Sequence, residues 1–321
     1  MDRIRDILTF LREKQDYVSG DFISAELGIS RTAIWKYMHQ LERLGYNITK
    51  LKGRGYKLIK TPDKLYTWEI DRYLNADFIG KEITYKEIVD STNSYAFKLA
   101  LDGASEGACV LADAQKAGRG RLNRVWFSPA GENLYLSIIL KPHVHPSNVY
   151  PITFISSLAV YDTVEAITGI KPTLKWPNDL LINGKKICGT LLELSTEADM
   201  VRFVVVGIGL DINMKEKEMS EEIEQKATSL FIETKNLFER ARVCGTLLSN
   251  LERYYLLFKM NGGNEVCHIW EDRSCIKGKY LEINQMGRSY KGISEGIDDK
   301  GALLLNVDGE IKKIIAGDVV F

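Results

Sequence analysis

The chain has 321 residues, 43 basic and 43 acidic side chains, 45% hydrophobic residues and 27% charged ones, the profile of a soluble globular protein. Without an apolar run of about 18 residues, a membrane-spanning helix is not expected, and at this length two or three domains are. The five cysteines are odd in number and form no Cys-x-x-Cys pair, which argues against a disulfide framework or a zinc site and suits packing thiols in a reducing cytosol.

The N-terminal stretch MDRIRDILTFLREKQ mixes acids with bases and lacks a small-residue cleavage site, so a secretory signal is not expected. Residues 1–65 carry thirteen Lys or Arg against eight Asp or Glu, an excess that suits a local anionic partner. Ile4, Ile7, Leu8 and Leu11 recur at helical spacing. A second short helix fits FISAELG and stops at Gly28. Ser30 is a good N-cap for a third, about Arg31 to Leu44, with Ile34, Met38 and Leu41 on one face. Its other face shows Arg31, Thr32, Lys36, Tyr37 and Gln40. YNITKLKGRGYKLI then reads as two strands around Lys52-Gly53-Arg54-Gly55. Helix, turn, basic helix and basic hairpin describe a winged helix-turn-helix that reads a DNA groove, with Lys52 and Arg54 on phosphates. The alternative is a three-helix module with solvated charges. Pro62 and Asp63 look like a linker.

From about Leu65 to Tyr255, strands and helices mix. TYKEIVDSTNSYAFKLALDG predicts a strand, a polar turn capped by Ser91, and a helix. ACVLADAQ and NLYLSIIL predict strands, and TFISSLAVYDTVEAITG a helix ended by Gly169. LKWPNDLLINGKKICGTLLEL predicts a hairpin turning at Asn183-Gly184, and VRFVVVGIGLDINM a further strand. The class is α+β with a mixed or largely antiparallel sheet. From about Cys275, short strands alternate with glycine turns and suit a small β-barrel. No P-loop, dinucleotide fingerprint, His-Glu-x-x-His or Gly-x-Ser-x-Gly motif occurs.

Two constellations remain. Gly118-Arg119-Gly120-Arg121-Leu122-Asn123-Arg124-Val125-Trp126 is too glycine-rich for a helix and too cationic for a core. It suits a mobile clamp on a polyphosphate or a nucleic acid, or a surface loop with solvated arginines. Lys175-Trp176-Pro177-Asn178-Asp179 turns Asn178 and Asp179 outward at a strand end, where Asp179 is a candidate magnesium ligand or part of an ordinary Asx turn. Lys185 and Lys186 point to opposite faces of their strand, so one of them enters any site on the sheet.

GRGRLNRVWFSP followed by KWPNDLLINGKKICG resembles the biotin–protein ligases, and with the N-terminal helix-turn-helix nearly the whole chain looks like the bifunctional ligase and biotin operon repressor type of bacteria. The resemblance implies a winged helix-turn-helix over 1–64, a biotin/lipoate-ligase type domain over 65–272 and an SH3-like β-barrel over 273–321. It implies biotin, ATP and Mg2+ as ligands, a biotin carboxyl carrier protein and operator DNA as partners, a homodimer when the adenylate is bound, no membrane contact, and a cytoplasmic location. In the same way Ser91, Thr92, Asn93 and Gln115 border the biotin head group. Arg119, Gly120 and Arg121 form the biotin loop, and Lys186, not Lys185, meets the biotin carboxylate and α-phosphate, with Gly189 beside it. Arg121 and Lys186 are the expected catalytic pair. Arg121, Arg124, Asn178, Asp179 and Asn213 sit at the phosphates, with Asp179 at the metal. Trp126 is taken as packing. The family pattern has Asn where this chain has Asp211, and Asn213 is the expected substitute. The charged run from Met214 is either a second loop over the adenylate or a solvated helix. A ligand-sensing repressor with an inactive ligase core, and a lipoate ligase, are the alternative functions.

Overall fold

The heptad-like spacing of Ile4, Ile7, Leu8 and Leu11 places all four in the core of α1 (Arg3–Glu13). The computed structural model describes residues 3–14, 16–285 and 288–320. Ser19 caps α2 (Gly20–Leu27), its hydroxyl accepting from the Phe22 N–H at 3.1 Å, and Gly28 ends it in the left-handed conformation. Ser30 caps α3 (Arg31–Arg43) by accepting from the Ala33 N–H at 3.2 Å, while Ile34, Met38 and Leu41 face inward. β1 (Asn47–Leu51) and β2 (Gly55–Lys60) form the antiparallel wing. Val18 and Tyr56 exchange backbone hydrogen bonds of 2.8 and 2.9 Å, which ties the wing to the start of α2. Gly55 makes this possible: its φ is +111°, and a Cβ there would lie 2.0 Å from the Val18 carbonyl oxygen. These elements form one compact unit, Met1–Lys64; the rest, Leu65–Phe321, forms a second.

The second unit opens with α4 (Thr67–Ile70), β3 (Ile83–Val89), α5 (Thr92–Leu101), β4 (Cys109–Gln115) and β5 (Leu134–Leu140). It continues with α6 (Pro151–Thr168), β6 (Thr173–Lys175), β7 (Asp179–Ile182), β8 (Lys185–Glu197) and β9 (Met200–Leu210). The seven strands lie in the order β3-β4-β5-β9-β8-β7-β6. Only β3 and β4 run parallel, and α5 is the crossover that a parallel pair requires. Both faces are covered, so LYLSIIL of β5 is buried without alternation. On one face Ala96 and Ala100 of α5 pack on Val110, Ile139 and Phe203. On the other lies the larger core under α6 and α9 (Arg240–Asn261), which follows α7 (Glu221–Lys226) and α8 (Leu230–Thr234).

After α10 (Gly263–Arg273), the chain ends in β10 (Tyr280–Gln285), β11 (Arg288–Ile297), β12 (Leu303–Val307), β13 (Glu310–Ile314) and β14 (Asp318–Val320). These form a five-stranded antiparallel sheet in the order β13-β12-β11-β10-β14. The Trp176 indole N–H donates to Gly301 O at 3.1 Å, and the Ile297 N–H donates to Glu271 at 2.9 Å, so this sheet is fastened to the elements around the seven-stranded sheet. Among the described residues no helix is long and apolar enough to cross a membrane.

A buried polar chain runs through the sheet. Arg240, the fully buried first residue of α9, pairs with Asp113 at 3.1 Å and donates to Asn133 O at 3.2 Å. Asn133 donates to Asp211 at 2.8 Å and accepts from the Ile212 N–H at 2.9 Å. Burial holds the Asp211 carboxyl well above the ordinary carboxylate range, outweighing the opposing pull of Lys186.

Two outcomes are expected. Gly55→Ala destabilises the first unit by at least about 1 kcal/mol; amide exchange in residues 3–60 of the full chain speeds up while that of the seven-stranded sheet is unchanged. The folded chain keeps the Asp211 proton that an unfolded chain sheds near pH ~4. The stability tied to that proton is complete below this pH and lost as pH rises toward the folded value. Asp211→Asn therefore flattens the fall in melting temperature as pH rises above the ordinary carboxylate range; a slope equal to wild type would show that the carboxyl is ionised there.

Candidate functional site

The C-terminal ends of β4 and β9, the N-terminus of α5 and the start of β8 converge on a cleft. Its uncharged end comes from the α5 cap. Ser91, Thr92 and Asn93 are buried there, because Ser91, still in the extended conformation, caps the helix and turns the next two side chains onto the sheet. Gln115 ends β4 and accepts from both the backbone N–H and the hydroxyl of Thr92, at 2.9 and 3.1 Å. Its amide donates to Ser128 at 3.0 Å, so one side chain ties α5 to the far end of the arginine segment. Asn93 donates to Glu193 at 2.9 Å, and the Ser137 hydroxyl lies 2.6 Å from Asn93 Oδ1.

The charged end comes from the arginine segment. Its base is closed by the Trp126 N–H donating to Gly118 O at 2.9 Å and the Gly120 N–H donating to Arg124 O at 2.7 Å. Arg119 reaches Glu193 at 3.1 Å and Ser94 at 3.1 Å. Arg121 donates to Asn178 Oδ1 at 3.1 Å and to Gly317 O at 3.2 Å, and Arg124 pairs with Asp318. On the opposite wall the Lys186 ammonium lies 2.6 Å from Asp179. Both hairpin lysines were candidates; Lys186 lines the cleft and Lys185 does not.

Expected residues brought together in the cleft are Ser91, Thr92, Asn93, Gln115, Arg119, Gly120, Arg121, Arg124, Asn178, Asp179, Lys186 and Gly189. Three readings need correction. Asn178 does not face outward; it is 6% exposed, and its amide donates to Thr190 O while its oxygen receives Arg121. Asn213, expected at the phosphates, does not reach the charged end of the cleft. It lies outside the cleft lining, with its amide donating to Phe238 O at 2.9 Å and accepting from the Phe238 N–H at 3.0 Å. Trp126 is not mere packing: it lines the cleft, and the Lys186 ammonium lies 5.3 Å from its ring centre.

Sequence reasoning also passed over Glu193, Ser137 and Asp318, whose partners are distant in the chain. A signal for Trp126 was present in the glycines. A Cβ at Gly209 would lie 2.4 Å from the indole and one at Gly189 2.9 Å, while one at Gly207 would lie 2.1 Å from Asn93 Oδ1. Gly-Ile-Gly at the end of β9 thus clears space for two site residues. The charged run after Met214 forms a 3-10 turn at Glu216–Glu218 and the mostly exposed α7, and Thr228 pins its end by donating to Lys186 O at 2.8 Å.

On the first unit, Arg31, Thr32, Lys36 and Gln40 are exposed along α3, Tyr37 is half-buried, and Lys52 and Arg54 are exposed on the wing. Arg31 is paired with Asp21, and Arg54 with Asp16 at 2.6 Å. Both are surface pairs, worth little, so their cations remain available to an anion. The same exposed stripe carries Trp35, 49% exposed and edge-on to His39 at 4.2 Å, which sequence reasoning did not select.

Residues 85–213 match the model of the biotin/lipoate A/B protein ligase family, residues 3–57 an HTH domain, and residues 282–321 the biotin protein ligase C terminal domain. The chain is 37% identical over 310 residues to the bifunctional ligase/repressor BirA of Bacillus spizizenii, covering 97% of this chain and 95% of that one. It is 30% identical over 304 residues to the Escherichia coli protein of the same name, covering 95% and 92%. The structure of the Aquifex aeolicus biotin protein ligase in complex with biotin and ATP superposes with a TM-score of 0.65 and 31% identity, over 75% of this chain and 98% of that one. The chain belongs to the biotin/lipoate A/B protein ligase family, with a helix-turn-helix domain ahead of the ligase fold and a small antiparallel sheet behind it.

Proposed function

We propose that the protein is an ATP-dependent biotin–protein ligase and a biotin-responsive transcriptional repressor. The observation that carries the enzymatic half is one cleft with a hydroxyl- and amide-rich wall at one end and Arg119, Arg121, Arg124 and Lys186 at the other. Biotin's ureido ring needs paired donors and acceptors, which Ser91, Thr92, Asn93 and Gln115 offer. Its carboxylate and a triphosphate repel each other, and four cations offset that repulsion.

In the first step a biotin carboxylate oxygen attacks the α-phosphorus of ATP. The bond to the β-phosphate's bridging oxygen breaks, and pyrophosphate leaves with the electron pair. Lys186 stands at the carboxylate and α-phosphate, Gly189 leaves room beside it, and Arg119 and Gly120 line the biotin chain. Arg121, Arg124 and Asn178 hold phosphate oxygens. In the second step the amine of a lysine on a biotin carboxyl carrier protein attacks the acyl carbon. The acyl–phosphate bond breaks, AMP departs, and the amine loses its proton.

No side chain of the enzyme becomes acylated in this scheme. The five cysteines lie outside the cleft lining, and burial pushes the Cys109 and Cys267 thiols up to about 12. Asp179 is the residue that would face a magnesium ion on the nucleotide. Among the described residues no three His, Cys, Asp or Glu side chains gather around a point. An ion held there by Asp179 together with the nucleotide would supply charge neutralisation.

The division of labour we propose is DNA reading by 1–64, chemistry by 65–272, and support of the nucleotide end by 273–321, in the cytoplasm. In α3, Arg31, Thr32, Lys36, Tyr37 and Gln40 face the groove, while Lys52 and Arg54 hold phosphates. A lone winged helix makes few base contacts, so operator recognition requires a two-fold pair. Binding of the adenylate completes the ordering of the arginine segment, whose exposed tip residues are not held by the tethers of Arg121 and Arg124, and favours that homodimer, which makes biotinyl-AMP the corepressor.

Biotin-dependent exchange of pyrophosphate into ATP is the test; its absence would leave a ligand sensor without ligase activity, and preference for lipoate would make the chain a lipoate ligase. Arg121→Ala is expected to speed release of the adenylate about ten-fold or more, because charge-assisted hydrogen bonds to phosphate are lost. Arg31→Ala is expected to weaken operator binding on the order of ten-fold with biotin transfer unchanged, as read by parallel gel-shift and transfer assays. An identical sedimentation coefficient with and without biotin and ATP would remove the corepressor mechanism.

A further inference from the structure

The tip of the arginine segment has one local backbone bond, the Arg124 N–H donating to Arg121 O at 3.1 Å. Leu122 is 72% exposed and holds a left-handed backbone with φ of 55°, a conformation that persists only where surrounding bonds enforce it. Val125 is also exposed. Side-chain bonds fix it further: Arg121 donates to Asn178 Oδ1 and to Gly317 O, and Arg124 to Asp318, the last two acceptors being adjacent residues at the start of β14.

Those two residues stand on rigid ground. Asp318 opens β14, opposite Asn284 of β10. A Cβ at Gly317 would lie 2.8 Å from Ile283 and 3.2 Å from Asn284 O, so its backbone is pressed against β10. The Asp318 side chain is 27% exposed and that of Arg124 is 64% exposed. The carboxylate is therefore the fixed post and the arginine the mobile arm. A carboxylate in a cleft meant for phosphates is unfavourable unless it has a task, and Asp318 lines this cleft.

We propose that Asp318 is a positioning residue for the nucleotide step: it holds Arg124, while Gly317 O beside it holds Arg121, so both guanidinium groups face the cleft before ATP arrives. The proposal rests on the ligase reading above. A guanidinium has five N–H donors, and the bond to Asp318 uses one terminal nitrogen, so Arg124 meets phosphate without letting go. Holding the arm in place lowers the ordering cost that the nucleotide would otherwise meet.

The test uses the full chain with Asp318→Asn and Asp318→Glu. In biotin-dependent pyrophosphate exchange, the Asn variant is expected to raise KM for ATP roughly two- to five-fold, the range for a solvent-exposed pair, with kcat within about two-fold. Limited trypsin digestion of the ligand-free protein should cut after Arg121 and Arg124 faster in the Asn variant, and the Glu variant should restore both readouts. With Arg124→Gln already present, Asp318→Asn should add nothing further to KM. An unchanged or lowered KM for ATP, or a Glu variant as impaired as the Asn one, would overturn the proposal. If the wild-type chain shows no exchange, the ligase reading has failed; equal trypsin rates for wild type and the Asn variant would then still refute the clasp, and a faster cut would uphold it.

Discussion

Four positive side chains share one cleft, and like charges at such range repel unless each has its own acceptor. The molecule meets that constraint by taking the acceptors from four places. Glu193 on β8 receives Arg119, Asn178 before β7 receives Arg121, Asp318 on β14 receives Arg124, and Asp179 on β7 receives Lys186. None of these contacts neutralises the site completely. Among the described residues Arg121 is held by an amide and a carbonyl alone, so its charge remains available to an anion. The cleft is thus prepared for negative charge before a ligand enters, as electrostatic preorganisation requires.

The uncharged wall answers a different demand. Buried amides and hydroxyls cost stability unless they are satisfied, and here they satisfy one another. Gln115 bridges Thr92 to Ser128, and Asn93 bridges Ser137 to Glu193. Glu193 also holds Arg119, so the wall and the arginine segment share one anchor. Glycine makes the close approach possible, since any side chain at Gly207 or Gly209 would displace Asn93 or Trp126.

The Arg240–Asp113 pair and the Asn133–Asp211 bond bear on function through position alone. They fix where β4, β5 and β9 end relative to α9, and those ends carry the cleft. A buried pair of this kind specifies an arrangement more than it adds stability. Asn213, expected at the phosphates, is committed to holding the Phe238 backbone instead.

Much was legible locally. The caps at Ser30 and Ser91, the left-handed stops at Gly28 and Gly169, and the turn at Asn183-Gly184 all follow from short-range backbone chemistry, and they emerge where the residue types require them. The spacing of Gly-Arg-Gly-Arg and Lys-Trp-Pro-Asn-Asp identified most of the cleft residues for the same reason, since each motif is a continuous stretch of chain. What the chain order did not reveal was partnership across distance. Whether Lys185 or Lys186 faced the cleft depended on how β7 pairs with β8, where the register shifts between Leu180 and Leu181. The roles of Trp126, Glu193 and Asp318 arise only when β8, β9 and β14 bring glycines, a carboxylate and a carbonyl to the arginine segment. Backbone conformation and motif are properties of neighbouring residues, so sequence determined them; which acceptor holds which cation is a property of the folded sheets, so only tertiary structure decided it.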